Sequence, residues 1–162
     1  MNLWNLNINK GFTLIELLLV ILIISVTLGI SNPLFRNTFN TIKLNSTGQE
    51  IASLIRYAQE QAITQKSITR FNLDVGEGNY RLTQKGGAAE VFTALEGKFG
   101  KTYSIPQDIK VKSQQESIDF YPDGEATSAL IKLTNSNVKS LTITVNPNTG
   151  NCSVTSDEQN QK

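Results

Sequence analysis

The chain has 162 residues, of which 39% are hydrophobic and 18% charged, with a formal net charge of +1. This size fits one domain with appendages, and the balance fits neither a disordered chain nor one wholly embedded in lipid. No global field draws it to nucleic acid or anionic lipid. Without histidine, Ser-His, Cys-His and His-metal chemistry are excluded. The single cysteine, Cys152, rules out an internal disulfide, argues against a thiolate zinc site, and reads as a small buried hydrophobe.

The first element is an apolar run from Phe12 to Asn32 in which only Glu16 is charged. As a helix rising about 1.5 Å per residue it would be roughly 31 Å long, the thickness of a bilayer core. An uncleaved span fits better than a secretory signal peptide. The run exceeds the roughly 7–15 residues of a signal h-region, and Leu28 and Ile30 interrupt the small residues near its end. Glu16 has two readings. Thr13-Leu14-Ile15-Glu16 matches a capping box, which places the carboxylate near the membrane interface. Alternatively, a carboxylate in lipid needs a partner charge, and such groups mark function.

The stretch KGFTLIELLLVILI resembles the N-terminal signature of type IV pilins and type II secretion pseudopilins. In that family a dedicated prepilin peptidase of the inner membrane cuts after a Gly that ends a short polar leader. It then methylates the new N-terminal residue, usually Phe, and a Glu stands fifth in the mature chain. The resemblance implies cleavage between Gly11 and Phe12, N-methylation of Phe12, and an assembly role for Glu16. The freed Phe12 amine would pair with Glu16 of the same or a neighbouring subunit. Many members carry a Pro at the spacing of Pro33, where a helix kink is implied. The leader, MNLWNLNINKG, departs from the pattern in having Lys10 as its one charged side chain. Orientation by the positive-inside rule is thus weakly encoded, and Arg36 and Lys43 pull slightly the other way.

Beyond Pro33, apolar residues recur at Phe35, Phe39 and Ile42, then at Leu44, Gly48, Ile51, Ile55, Ala58 and Ala62. These steps of three and four predict one kinked helix from Thr13 to Gln65, its second half amphipathic and its stripe in the core. From Ser67 the period becomes two. Phe71–Val75 and Tyr80–Leu82, around Gly76-Glu77-Gly78-Asn79, predict a hairpin. Residues 86–106 show no period and read as a connector holding a short helix near 90–95 or a weak strand. Strands are expected at 109–112, 117–121, 129–133, 141–145 and 152–155, separated by turns at Pro122-Asp123-Gly124, Asn135-Ser136-Asn137 and Pro147-Asn148-Thr149-Gly150.

The expected architecture is α+β, a long kinked N-terminal helix, membrane-spanning in its first half, on an antiparallel β-sheet domain. The segments are a leader at 1–11, a transmembrane and filament-core helix at 12–33, its amphipathic continuation at 34–66, and a periplasmic β domain at 67–162. The stretches IDFYPDGEATSALIKL and LTITVNPNTGNCSV are similar to the C-terminal regions of GspH/FimT-type minor pseudopilins. The resemblance implies a single-pass inner-membrane protein that then enters a periplasmic filament. It implies a substrate of an enzyme rather than an enzyme, with no cofactor and no metal. Its partners would be the prepilin peptidase, other pilins or pseudopilins, the inner-membrane assembly platform and membrane lipid.

Three rival readings rest on residues. Asp119, Asp123 and Glu125 crowd one turn, which suggests calcium, but their spacing is not that of an EF-hand. A solvated turn is the better reading. Some FimT-like pilins bind DNA through basic residues near the C-terminus. Here Lys110, Lys112, Arg70 and Arg81 would have to form the patch, since TSDEQNQK holds two acids against one lysine. Exposed strand lysines more often blunt an edge. An ordinary membrane-anchored binding domain is the third.

Overall fold

The computed structural model describes residues 11–86, 91–95 and 97–157, with the backbone alone described at 30–37. The leader before Gly11, Glu90, the C-terminal tail and the Pro33 and Phe35 side chains lie outside it. The chain forms two compact units, Met1–Thr38 and Phe39–Lys162.

Helix α1 runs unbroken from Leu14 to Gln65, passing position 33. Thr13 caps it: the Glu16 N–H donates to Thr13 Oγ1 at 3.3 Å and to the Thr13 carbonyl at 3.1 Å. The Glu16 carboxylate does not return a bond to the Thr13 N–H, so half of the expected capping box forms. At the other end Lys66 takes a left-handed φ of 51° and the Ser67 N–H donates to the Ala62 carbonyl at 3.2 Å. That six-to-one bond is a Schellman stop, which normally employs glycine at the position of Lys66.

In the second unit the strands are β1 (Thr69–Asp74), β2 (Asn79–Gly86), β3 (Val91–Ala94), β4 (Tyr103–Ser104), β5 (Ile109–Ser113), β6 (Ser117–Phe120), β7 (Ala129–Asn135), β8 (Ser140–Val145) and β9 (Cys152–Asp157). They make two antiparallel sheets, one ordered β3-β2-β1-β6 with β4 also on β2, the other β5-β7-β8-β9. The expected hairpin is β1-β2, with Phe71 opposite Leu82 and Leu73 opposite Tyr80. Of the two readings of the 90–95 segment, the strand is correct: β3 pairs with the end of β2.

Alternation explains the core. Along β1, β7 and β8 every second side chain is buried, including Phe71, Leu73, Ile131, Leu133, Leu141 and Ile143. The stripe Leu44, Ile51, Ile55, Ala58 and Ala62 of α1 joins the same core. Helix and sheet approach so closely that a Cβ on Gly48 would stand 2.7 Å from Leu141 Cδ2. Polar junctions between α1 and the sheets add to this packing. Lys43 pairs with Asp108 at 2.6 Å, and Gln59 Nε2 donates to the Thr149 carbonyl at 2.6 Å.

One part of the predicted stripe fails. Phe39 and Ile42 are 64% and 57% exposed rather than in the core. At roughly 100° per residue they stand about 120° and 180° from Ile51, so the sheets that cover Ile51 leave them open.

Candidate assembly site

Gly11, Phe12 and Thr13 precede the helix in non-helical backbone, and nothing lies within 4 Å of a Cβ built on Gly11. Gly11 and Phe12 are exposed, and the Thr13 cap fixes where the helix begins after them. One turn later stands Glu16, exposed like the residues around it.

What surrounds Glu16 is unusual for a water-facing helix. Phe12, Leu14, Ile15, Leu17, Leu18, Leu19, Val20, Ile21, Leu22, Ile23, Ile24, Val26 and Leu28 are all exposed, from 43% at Val20 to 78% at Leu14. They occupy every face, because they are nearly consecutive. The polar side chains turn inward on the backbone: Ser25 Oγ donates to the Ile21 carbonyl at 2.8 Å and Thr27 Oγ1 to that of Ile23. A hydroxyl satisfied this way needs no water. Covering each large apolar side chain is worth about 1.5–3 kcal/mol, hence tens of kcal/mol for the run. Among the described residues these side chains stand uncovered on all faces of the helix. Among the described residues no helix is long and apolar enough to cross a membrane. The run of described side chains, 14–29, is about 24 Å long at 1.5 Å per residue, short of a roughly 30 Å core.

The other candidate residues do not converge. Asp119 lies in β6 and forms a two-pronged ion pair with Arg70 at 2.6 and 2.8 Å. Its hydrogen bonds hold the guanidinium above its usual range, and the Arg70 plane lies 3.8 Å over the Phe92 ring. Asp123 Oδ1 accepts the Glu125 N–H at 3.0 Å and so closes its own turn. The acids thus act in an ion pair and a turn, and no cluster of possible metal ligands occurs among the described residues. Lys110 and Lys112 are exposed on β5, an edge of the second sheet, where they blunt the edge. Arg81 lies on β2 of the other sheet, and Arg70 is committed to Asp119. Cys152 is half-buried and burial pushes its thiol pKa up, which makes it a poor nucleophile.

Comparisons with known proteins agree with this picture. Residues 47–149 match the family Type II transport protein GspH, and residues 6–31 match the prokaryotic N-terminal methylation motif. The type II secretion system protein H of Xanthomonas campestris pv. campestris is 28% identical over 125 residues, covering 77% of this chain and 71% of that protein. The minor pseudopilin EpsH of the Vibrio cholerae type 2 secretion system superposes with a TM-score of 0.63 at 12% identity, covering 72% of this chain and 99% of that one. The type IV minor pilin FimU of Pseudomonas aeruginosa gives 0.57 at 12% identity, with 73% and 95% covered. At such identities these two structures speak for the fold alone, an N-terminal helix on antiparallel sheets. The family model covers more than half of the chain, and with the methylation motif in place the chain belongs to the GspH family of type II transport proteins.

Proposed function

We propose that this subunit is inserted in the bacterial inner membrane through residues 12–33, is cut after Gly11 by a prepilin peptidase and methylated on Phe12, and then passes into a periplasmic filament. The observation that carries this reading is the all-round exposure of apolar side chains from Phe12 to Leu28 with one carboxylate, Glu16, among them. Cleavage would create an ammonium on Phe12 at the depth of Glu16. An amine with an ordinary pKa near 7.7–8.0 is protonated at neutral pH and neutralises a carboxylate that is costly to leave alone in hydrocarbon. Pro33 would let the helix bend between its lipid-facing and domain-facing parts. The β domain would face outward and set the position of the subunit among its neighbours and the assembly platform. The chain is then a structural part of the machine and the substrate of an enzyme, with no catalytic step of its own. A DNA-uptake role is not favoured, because Arg70 is committed to Asp119 and the remaining basic residues are split between two sheets.

The pairing is tested with Glu16→Ala. The variant should insert in the membrane at the normal level and be lost from filaments and from complexes with other pilin-like subunits. Incorporation at the normal level would rule the pairing out.

A further inference from the structure

The outer face of the sheet β3-β2-β1-β6 carries a polar groove. Phe71 and Leu73 of β1, Leu82 of β2 and Ile118 of β6 are buried in the core, so the residues that alternate with them point outward. Register sets those residues in rows across three strands. One row is Thr83, Arg70 and Asp119, and the next is Arg81, Asn72 and Ser117. The groove has a volume of about 610 Å³ and is lined by the second row together with Asp74, Asn79 and Glu116.

The two rows differ in one respect. In the first, the guanidinium finds its carboxylate within the chain, since Arg70 donates to both oxygens of Asp119 at 2.6 and 2.8 Å. In the second, the residue directly opposite Arg81 is an amide, Asn72. Asn72 turns its Nδ2 to Thr83 Oγ1 at 2.9 Å, which leaves Oδ1 as an acceptor facing the groove side of the row. Arg81 is exposed, and among the described residues no acid pairs with it. The first row is complete. The second has the cation and the hydrogen-bonding neighbours but not the anion.

We propose that this groove binds a short peptide segment through a carboxylate that pairs with Arg81. The guanidinium is a planar fork that matches a carboxylate with two parallel hydrogen bonds. Asp74 and Glu116 decide among anions. Two negative charges in the lining repel a phosphate or a nucleic-acid strand, which brings several of its own. A peptide brings one carboxylate and, beside it, N–H groups that Glu116 and Asn72 Oδ1 accept. The volume lies within the roughly 300–1,000 Å³ of ligand sites. The groove belongs to the β domain, so the proposal stands apart from the fate of the apolar helix.

The test is NMR of the isotope-labelled full chain in detergent micelles, read at the Arg81 Nε–H and the Asn72 side-chain amide. Three pentapeptides of Ser and Thr around one central residue serve as probes. The first has a central Glu and an amidated end, the second a central Gln and a free C-terminal carboxylate, and the third a central Gln and an amidated end. The first or the second should shift both signals saturably, and which of them does so tells whether the carboxylate comes from a side chain or a chain end. The third should not. Arg81→Gln should weaken binding at least about tenfold, the effect of losing a charged hydrogen-bonded pair, and leave the Tm unchanged. Lys110→Gln, on the other sheet, should change neither. No saturable shift with the first two peptides up to millimolar concentration, equal shifts with the third, or affinity unaltered in Arg81→Gln would overturn the site. Tighter binding of inorganic phosphate than of either acidic peptide would overturn the ligand class.

Discussion

The two parts of α1 solve the same problem in opposite ways. From Phe12 to Leu28 the helix is apolar on every face and its side chains stand open. From Leu44 to Ala62 it is apolar along one stripe, and that stripe is closed by two sheets. The second part has its partner within the chain, and on the proposed reading the first finds one outside it. One helix would then carry the stability of a domain and the adhesiveness of an assembly without mixing them, because the apolar pattern changes from all-round to one-sided along its length.

Mutations of one kind in the two parts should therefore have different readouts. Ile55→Ala removes a fully buried side chain and should cost about 2–5 kcal/mol. In a protein of this size that is roughly a 5–20 °C fall in Tm. Leu18→Ala should leave the Tm of the β domain unchanged and weaken retention in membranes and filaments. Equal effects of the two on thermal melting would erase the distinction.

A smaller effect probes the join between α1 and the last loop. Gly150 has φ 62°, and a Cβ on it would stand 2.6 Å from Gln59 Nε2 and 2.8 Å from the Gly124 carbonyl. Gly150→Ala should lower stability by about 1–3 kcal/mol, measured by chemical denaturation, with assembly surviving below the new Tm.

The smallest concerns pH. Asp108 is held below its ordinary pKa of 3.8, chiefly by its hydrogen bond from Lys43. Its folded pKa is depressed, so its contribution is present above the ordinary value and is lost as pH falls through the lower, native one. Asp108→Asn should lower the Tm slightly at neutral pH and not at all at the acid end of that window. A difference that grows on acidification would have the wrong sign.

Much of this was legible in the sequence, and the failures share a cause. The end of α1 at Gln65 and the hairpin β1-β2 follow from apolar period and turn chemistry, both local. Segment β3 escaped the period because it is an edge strand with Val91 and Thr93 exposed, so neither face is marked as buried. The division into two sheets is non-local: β1 pairs with β6 and β5 with β7 across long stretches of chain. Phe39 and Ile42 read as core because a helical period gives a stripe without saying which stripe the sheets will cover. At the candidate site the Gly11–Phe12–Glu16 spacing was visible at once. Away from that site, the left-handed φ of 63° at Val138 was not, since the Asn135-Ser136-Asn137 turn predicts a loop but not the φ of the residue that closes it.

On the proposed reading the helix is used only after Gly11 has been cut away, when the Phe12 ammonium exists to meet Glu16. Mass spectrometry of the protein isolated from cells with their prepilin peptidase tests it most directly. The account predicts a mature N-terminus at Phe12 carrying one methyl group, and an uncut precursor when Gly11 is replaced by a bulky residue. A chain still beginning at Met1, or cut at any other bond, would contradict it.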